Sequence, residues 1–168
     1  MTIEPIKTPS AQSEPKVVTI LGSTGTIGKN TIKLIEDDRD SFVIEALTAN
    51  ESVELLAEQA KRLGAKAAVI KNEKLYDDLK SALAGTDIEA MAGSDAVNDA
   101  AARNANIVMA GIVGSASLAP TLAAIKNGTT IGLANKECLV CLGDLMTNEV
   151  MKHGATLVPV DSEHNAVF

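Results

Sequence analysis

The chain has 168 residues, 46% of them hydrophobic and 22% charged, enough for one buried core of ordinary globular type. A net charge of −7 and an aromatic content of 2% supply neither the basic surplus nor the stacking surfaces that a nucleic acid requires. Charged and amide residues interrupt every apolar run before the roughly 18 residues needed to span a bilayer, so neither nucleic acid nor membrane is an expected partner.

Residues 1–15 contain three prolines, no apolar signal core and no Arg-rich transit pattern, and read as a flexible tail. From Lys16 onward, short β-branched runs alternate with amphipathic segments, the pattern of repeated βαβ units. Strands are expected at Val17–Leu21, Val43–Thr48, Ala67–Ile70, Asn106–Ala110, Thr129–Leu133 and Thr156–Val160. Helices are expected to begin near Thr26, Ser52, Glu73, Ser94, Ser115 and Asn135, several opened by a Ser, Thr or Asn able to cap free amides. The expected fold is α/β, a doubly wound, mostly parallel Rossmann-like sheet with crossover helices over residues 16–160. In the segment 51–63, Val53, Leu56, Ala60 and Leu63 fall on one stripe and Gly64 stops the helix, a purely structural pattern.

Directly after the first strand stands Gly22-Ser23-Thr24-Gly25-Thr26-Ile27-Gly28, a G-x-x-G-x-x-G turn opening a helix. A dinucleotide loop needs glycine where the chain turns sharply, where backbone approaches the pyrophosphate and where helix packs on strand, with helix-terminal amides facing the anion. Thr24 and Thr26 add hydroxyl donors, and a plain strand-to-helix turn is the weaker alternative. The second strand ends in Ala49-Asn50-Glu51-Ser52, where an NAD-specific protein usually carries an acid on the ribose diol. Asn50 and Ser52 suit a 2′-phosphate, while Glu51, also readable as a first-turn acid favoured by the helix dipole, leaves the choice of cofactor open.

Further on, Ala110-Gly111-Ile112-Val113-Gly114-Ser115 forms another small, open loop at a strand end, either a nicotinamide wall or a structural turn. Asn135-Lys136-Glu137 follows an apolar strand at the same expected edge. There Lys136 offers a cation to a substrate oxygen, and Asn135 and Glu137 either bond the cofactor ribose, order the lysine or simply cap a helix. Cys138 and Cys141 form C-x-x-C, but they sit in an apolar helical run, and His153 and His164 are not at zinc-ligand spacing. They read as buried reduced thiols, in keeping with a cytoplasmic location. Asp161 and Glu163, two residues apart in an extended segment, project to one side and suit Mg²⁺ or Mn²⁺; a solvated acidic turn is an equal reading.

Taken together, GSTGTIG, ALTANESVELLAEQA, AGIVGSASLAPTLAAIKNGTTIGLANKECLV and VPVDSEHNAVF resemble the 1-deoxy-D-xylulose 5-phosphate reductoisomerase family over residues 16–168. LANKE followed by PVDSEH is the specific part of the match. The resemblance implies conversion of 1-deoxy-D-xylulose 5-phosphate, a sugar phosphate, to 2-C-methyl-D-erythritol 4-phosphate with NADPH and Mn²⁺ or Mg²⁺, in non-mevalonate isoprenoid synthesis. It implies cofactor contacts from Thr24, Gly25, Thr26, Ile27, Asn50, Ser52, Asn135 and Glu137. It further implies substrate contacts from Lys136, Ser162 and Glu163, and metal ligation by Asp161 and Glu163. Many relatives read Gly, a basic residue and Asn where this chain has Asn50, Glu51 and Ser52. Family members are homodimers and continue into a catalytic domain, of which residues 161–168 are only the start, so the chain alone is expected to show little turnover. The rival readings are a stand-alone NADP-binding module without catalysis and a semialdehyde-type reductase, the latter disfavoured because neither cysteine stands at a strand end.

Overall fold

The computed structural model describes residues 14–134 and 136–160. Seven strands alternate with six helices: β1 (Lys16–Leu21), α1 (Thr26–Asp37), β2 (Phe42–Ala49), α2 (Val53–Leu63), β3 (Ala67–Ile70), α3 (Tyr76–Ala82), β4 (Glu89–Ala92), α4 (Ser94–Ala101), β5 (Ile107–Ala110), α5 (Leu118–Lys126), β6 (Thr130–Leu133), α6 (Lys136–His153) and β7 (Thr156–Pro159). They form one sheet in the order β4-β3-β2-β1-β5-β6-β7, with every neighbouring pair parallel. This is the doubly wound α/β arrangement expected from the alternation of patterns. All six expected strands form, with ends shifted by no more than a residue or so.

The expectation of six strands is corrected by β4. Its sequence, Glu-Ala-Met-Ala, has little intrinsic strand preference and reads as the approach to a helix. It becomes a strand because β3 is short, apolar and buried throughout, and its outer edge needs a partner, which Ala67–Ile70 finds in Glu89–Ala92. Arg103, just after α4, fixes the same edge by pairing with Glu45 of β2 at 3.4 Å and with Glu89 of β4.

Helices α1, α2, α4 and α6 begin within a residue of where they are expected, and it is the capping that needs correction. Gly25, not a hydroxyl residue, caps α1; Ser52 stands at the cap of α2 but makes no side-chain cap bond; Gly93 precedes α4, so Ser94 is its first helical residue. Glu73 and Ser115 each open a short 3-10 turn, and α3 and α5 begin only at Tyr76 and Leu118. Only the turn at Glu73 has a side-chain cap among these starts, the Asn72 Oδ1 accepting from the Lys74 amide at 3.2 Å. The end of α2 follows expectation, with Gly64 at φ 57° accepting the left-handed conformation that closes the helix.

Each face of the sheet has its own packing. Val18, Ile20, Ile44, Leu47 and Ile70 meet Ile32, Ile35, Leu56 and Leu63, whereas Ala46, Ala67 and Val69 receive the small side chains Ala96, Val97 and Ala100 of α4. That close approach of an alanine-rich helix explains why the chain does without bulky aromatics. A third cluster joins Val108, Ile131 and Leu133 to Ile125 and the fully buried Met146 of α6. Cys138 and Cys141 fall within α6, as expected of a helical run, and their side chains lie outside the described residues. Among the described residues, no helix is long and apolar enough to cross a membrane.

Candidate functional site

The chain runs from β1 to β2 on one side, while β5 pairs on the other, so the strand order reverses between β1 and β5. In an open parallel sheet that reversal leaves a crevice beyond the carboxyl ends of the strands. A cavity of about 390 Å³ occupies it. Its wall draws on the glycine loop (Gly22, Thr24, Gly25, Thr26, Ile27), the tip of β2 (Thr48, Ala49, Asn50), Lys71 after β3, Val97 of α4, and the loop after β5 (Gly111, Ile112, Val113, Ala116).

The three glycines have three separate reasons. Gly22 adopts φ 81°, and a Cβ there would stand 3.1 Å from the Gly111 carbonyl oxygen, so the two loops meet backbone to backbone across the seam. Gly28 lies in α1 where a Cβ would come within 2.4 Å of both the Gly22 oxygen and the Ser23 Cα; only glycine lets the helix rest on the loop. Gly25 is different. Its backbone, φ −78° and ψ 177°, suits any residue, and a Cβ would meet only the Gly22 oxygen at an ordinary 3.4 Å. Nothing in the chain itself requires glycine at position 25, and that position lines the cavity.

The loop is held from β2 and α2. Thr48 accepts the Gly22 amide at Oγ1 (3.0 Å) and the Ser23 amide at its carbonyl (2.8 Å), while the buried Gln59 donates through Nε2 to the Ser23 carbonyl (3.2 Å). Gly25 donates to the Gly22 carbonyl at 3.1 Å, and the first bond of the helix runs from the Lys29 amide to the Gly25 carbonyl at 2.9 Å. The amides of Thr24, Thr26 and Ile27 are left without an acceptor among the described residues, and all three residues face the cavity. Donors free at a helix N-terminus, beside a position stripped of its side chain, make an anion cradle.

Of the residues singled out in the sequence, Thr24, Gly25, Thr26, Ile27 and Asn50 come together on this wall. Ser52 is exposed at the start of α2 and off the wall, and so is Glu51. Asn135, Asp161, Ser162 and Glu163 lie outside the described residues, as do the side chains of Lys136 and Glu137. The residues leading to those two motifs are described, and both lie at the same rim: Ala134 donates to the Ala110 carbonyl (3.3 Å) and Val160 to the Leu133 carbonyl (3.0 Å). Sequence reasoning assigned nothing to Thr48, Lys71 or Val97, and gave Val113 no role of its own within the loop after β5. Val113 is 84% exposed at the mouth, and its only signal was its place in a small loop after a strand.

A family model for 1-deoxy-D-xylulose 5-phosphate reductoisomerase matches residues 18–143. The reductoisomerase of Zymomonas mobilis subsp. mobilis is 55% identical over 156 residues, covering 93% of this chain and 40% of that protein. That of Rhodospirillum centenum is 56% identical over 151 residues, or 90% and 38% of the two chains. Among solved structures, the Zymomonas mobilis reductoisomerase in complex with NADPH superposes with a TM-score of 0.89 at 55% identity, covering 91% of this chain and 40% of that one. A DOX-P reductoisomerase with NADPH, fosmidomycin and magnesium superposes at 0.86 and 37% identity, over 90% and 38%. The chain thus spans about 40% of the length of the relatives it matches.

Proposed function

The chain belongs to the 1-deoxy-D-xylulose 5-phosphate reductoisomerase family, and from that premise we propose that its β1/β5 crevice binds NADPH for the reductive isomerisation of 1-deoxy-D-xylulose 5-phosphate to 2-C-methyl-D-erythritol 4-phosphate. The observation that carries the reading is Gly25, a cavity-lining glycine that neither backbone angle nor packing explains, flanked by amides with no acceptor among the described residues. A pyrophosphate seated there would meet the amides of Thr24, Thr26 and Ile27, with the threonine hydroxyls beside them. The cradle fits the group.

From that anchor the adenosine ribose extends towards Asn50 and Ser52 at the β2 end, and the nicotinamide towards Ile112 and Val113, whose apolar side chains shield the ring from water. When bound, NADPH supplies the hydride that reduces the rearranged aldehyde. Asn135 and Glu137 would hold the cofactor, Lys136 and Ser162 the substrate, and Asp161 and Glu163 a divalent cation, Glu163 also touching the substrate. Two carboxylates are a donor set suited to Mg²⁺ or Mn²⁺, whose Lewis acidity polarises the substrate oxygens. Residues 16–160 act in this scheme as the cofactor domain and 161–168 as the start of the catalytic part. The 168 residues alone bind NADPH with little turnover, a reading supported by the share of the relatives' length that they span.

The test measures NADPH binding to the purified chain by fluorescence titration, alongside NADPH oxidation with 1-deoxy-D-xylulose 5-phosphate and Mn²⁺. Saturable binding without turnover is expected. Robust turnover refutes the dependence on further residues, and no binding refutes the cofactor site.

A further inference from the structure

The wall of the cavity carries a single charged side chain among the described residues, and it is a cation that motif reading gives no reason to select. Lys71 follows β3 directly, and its backbone is bonded to the tip of β2: its amide donates to the Ala49 carbonyl at 2.8 Å, and the next amide, of Asn72, donates to the Asn50 carbonyl at 3.1 Å. This fixes Lys71 beside Asn50, the place where a dinucleotide anchored at α1 presents its adenosine ribose. Lys71 is partly buried, yet no carboxylate lies within ion-pair distance of its amine among the described residues. Glu51, the acid just past the tip of β2, is exposed and off the wall. In a chain of net charge −7, a partly buried lysine with no ion pair among the described residues, on the wall of an anion cradle, is a local inversion of sign that the fold does not need.

On the premise that this crevice holds a dinucleotide, we infer that Lys71 is the specificity residue for the phosphorylated cofactor, its ammonium pairing with the phosphate monoester on the adenosine 2′-oxygen. The tip of β2 cooperates by omission. Asn50, neutral where an acid would grip a free ribose diol, leaves the space and adds an amide donor, and Lys71 supplies the charge from the neighbouring strand. NADH, which lacks that phosphate, gains nothing from the amine.

The experiment titrates NADPH and NADH into the wild-type chain and into Lys71→Met, which keeps an unbranched apolar stem against the wall while removing the charge, and Lys71→Arg, which retains it. Lys71→Met is expected to weaken NADPH binding about tenfold or more while leaving NADH within about twofold, and to flatten the salt dependence of NADPH binding. Lys71→Arg should keep the preference. A Lys71→Met protein with an unchanged NADPH-to-NADH ratio overturns the inference, as does an equal loss of both cofactors, which would mark a merely structural lysine. A wild-type chain that binds neither dinucleotide overturns the cofactor site itself, and that result is read before any substitution is made.

Discussion

The contrast between Gly28 and Gly25 gives the sharpest test of how the loop works. In Gly28→Ala the new methyl would meet the Gly22 oxygen and Ser23 Cα at 2.4 Å, and ordinary contact requires a retreat of about 1 Å. The opposing atoms are backbone, unable to swing aside, so the cost should lie near the top of the overpacking range, about 3 kcal/mol. For a chain of this size that lowers Tm by about 6–12 °C. The same retreat moves the first turn of α1, and a hydrogen bond of about 2.9 Å stretched by about 1 Å is no longer a bond. NADPH affinity should therefore fall with stability. Gly25→Ala should separate the two: the backbone there accepts alanine, the new contact is an ordinary 3.4 Å, and stability should stay within about 1 kcal/mol of wild type. Its methyl would project where the proposed cradle receives a pyrophosphate, so NADPH binding should drop about tenfold or more. Thermal melts and NADPH titrations on both variants decide the matter. A Gly28→Ala protein with unchanged Tm, or a Gly25→Ala protein that keeps its affinity, would refute the division of labour among the glycines.

Gln59→Leu removes the donor to the Ser23 carbonyl and should cost about 1 kcal/mol in urea unfolding while lowering NADPH affinity several-fold through a looser loop. Glu51→Gln should change NADPH affinity by less than about twofold at physiological salt, since the residue is exposed and off the cavity wall; a large gain would show that its charge reaches the cofactor. Met146→Ala, at a fully buried position where α6 packs on the sheet, should destabilise by about 2–5 kcal/mol in the same unfolding assay.

What could be read from the sequence depended on whether a residue acts through its neighbours along the chain or through the sheet. The glycine loop was legible because a turn, an exposed approach and a helix contact fall within seven positions, although the contact of Gly22 with Gly111 emerges only in the fold. The strands with β-branched cores were legible for the same reason. Glu89–Ala92 was not, because Ala and Met carry no strand signal and the need for that strand arises only from the open edge of β3. Thr48 looked like one more β-branched strand residue until β2 came to lie beside β1, where its hydroxyl and carbonyl hold two loop amides. Lys71 was hidden in the same way, since only the sheet order brings the end of β3 to a cavity walled by the loop after β1.

The seam between β1 and β5 joins segments far apart in the chain: the Val17 amide bonds the side chain of Asn106, 89 residues on, and Gly111 donates to the Leu21 carbonyl at the other end. Each half of the sheet, by contrast, is built from successive strands that can pair as they emerge. Closing the long loop between the halves is the step with the greatest entropic cost, so it belongs late in folding. The crevice exists only after that closure, and a ligand lodged in it acts as a clasp on the last-formed joint of the molecule. Saturating cofactor should accordingly slow amide exchange at Gly111 more than in the interior of either half.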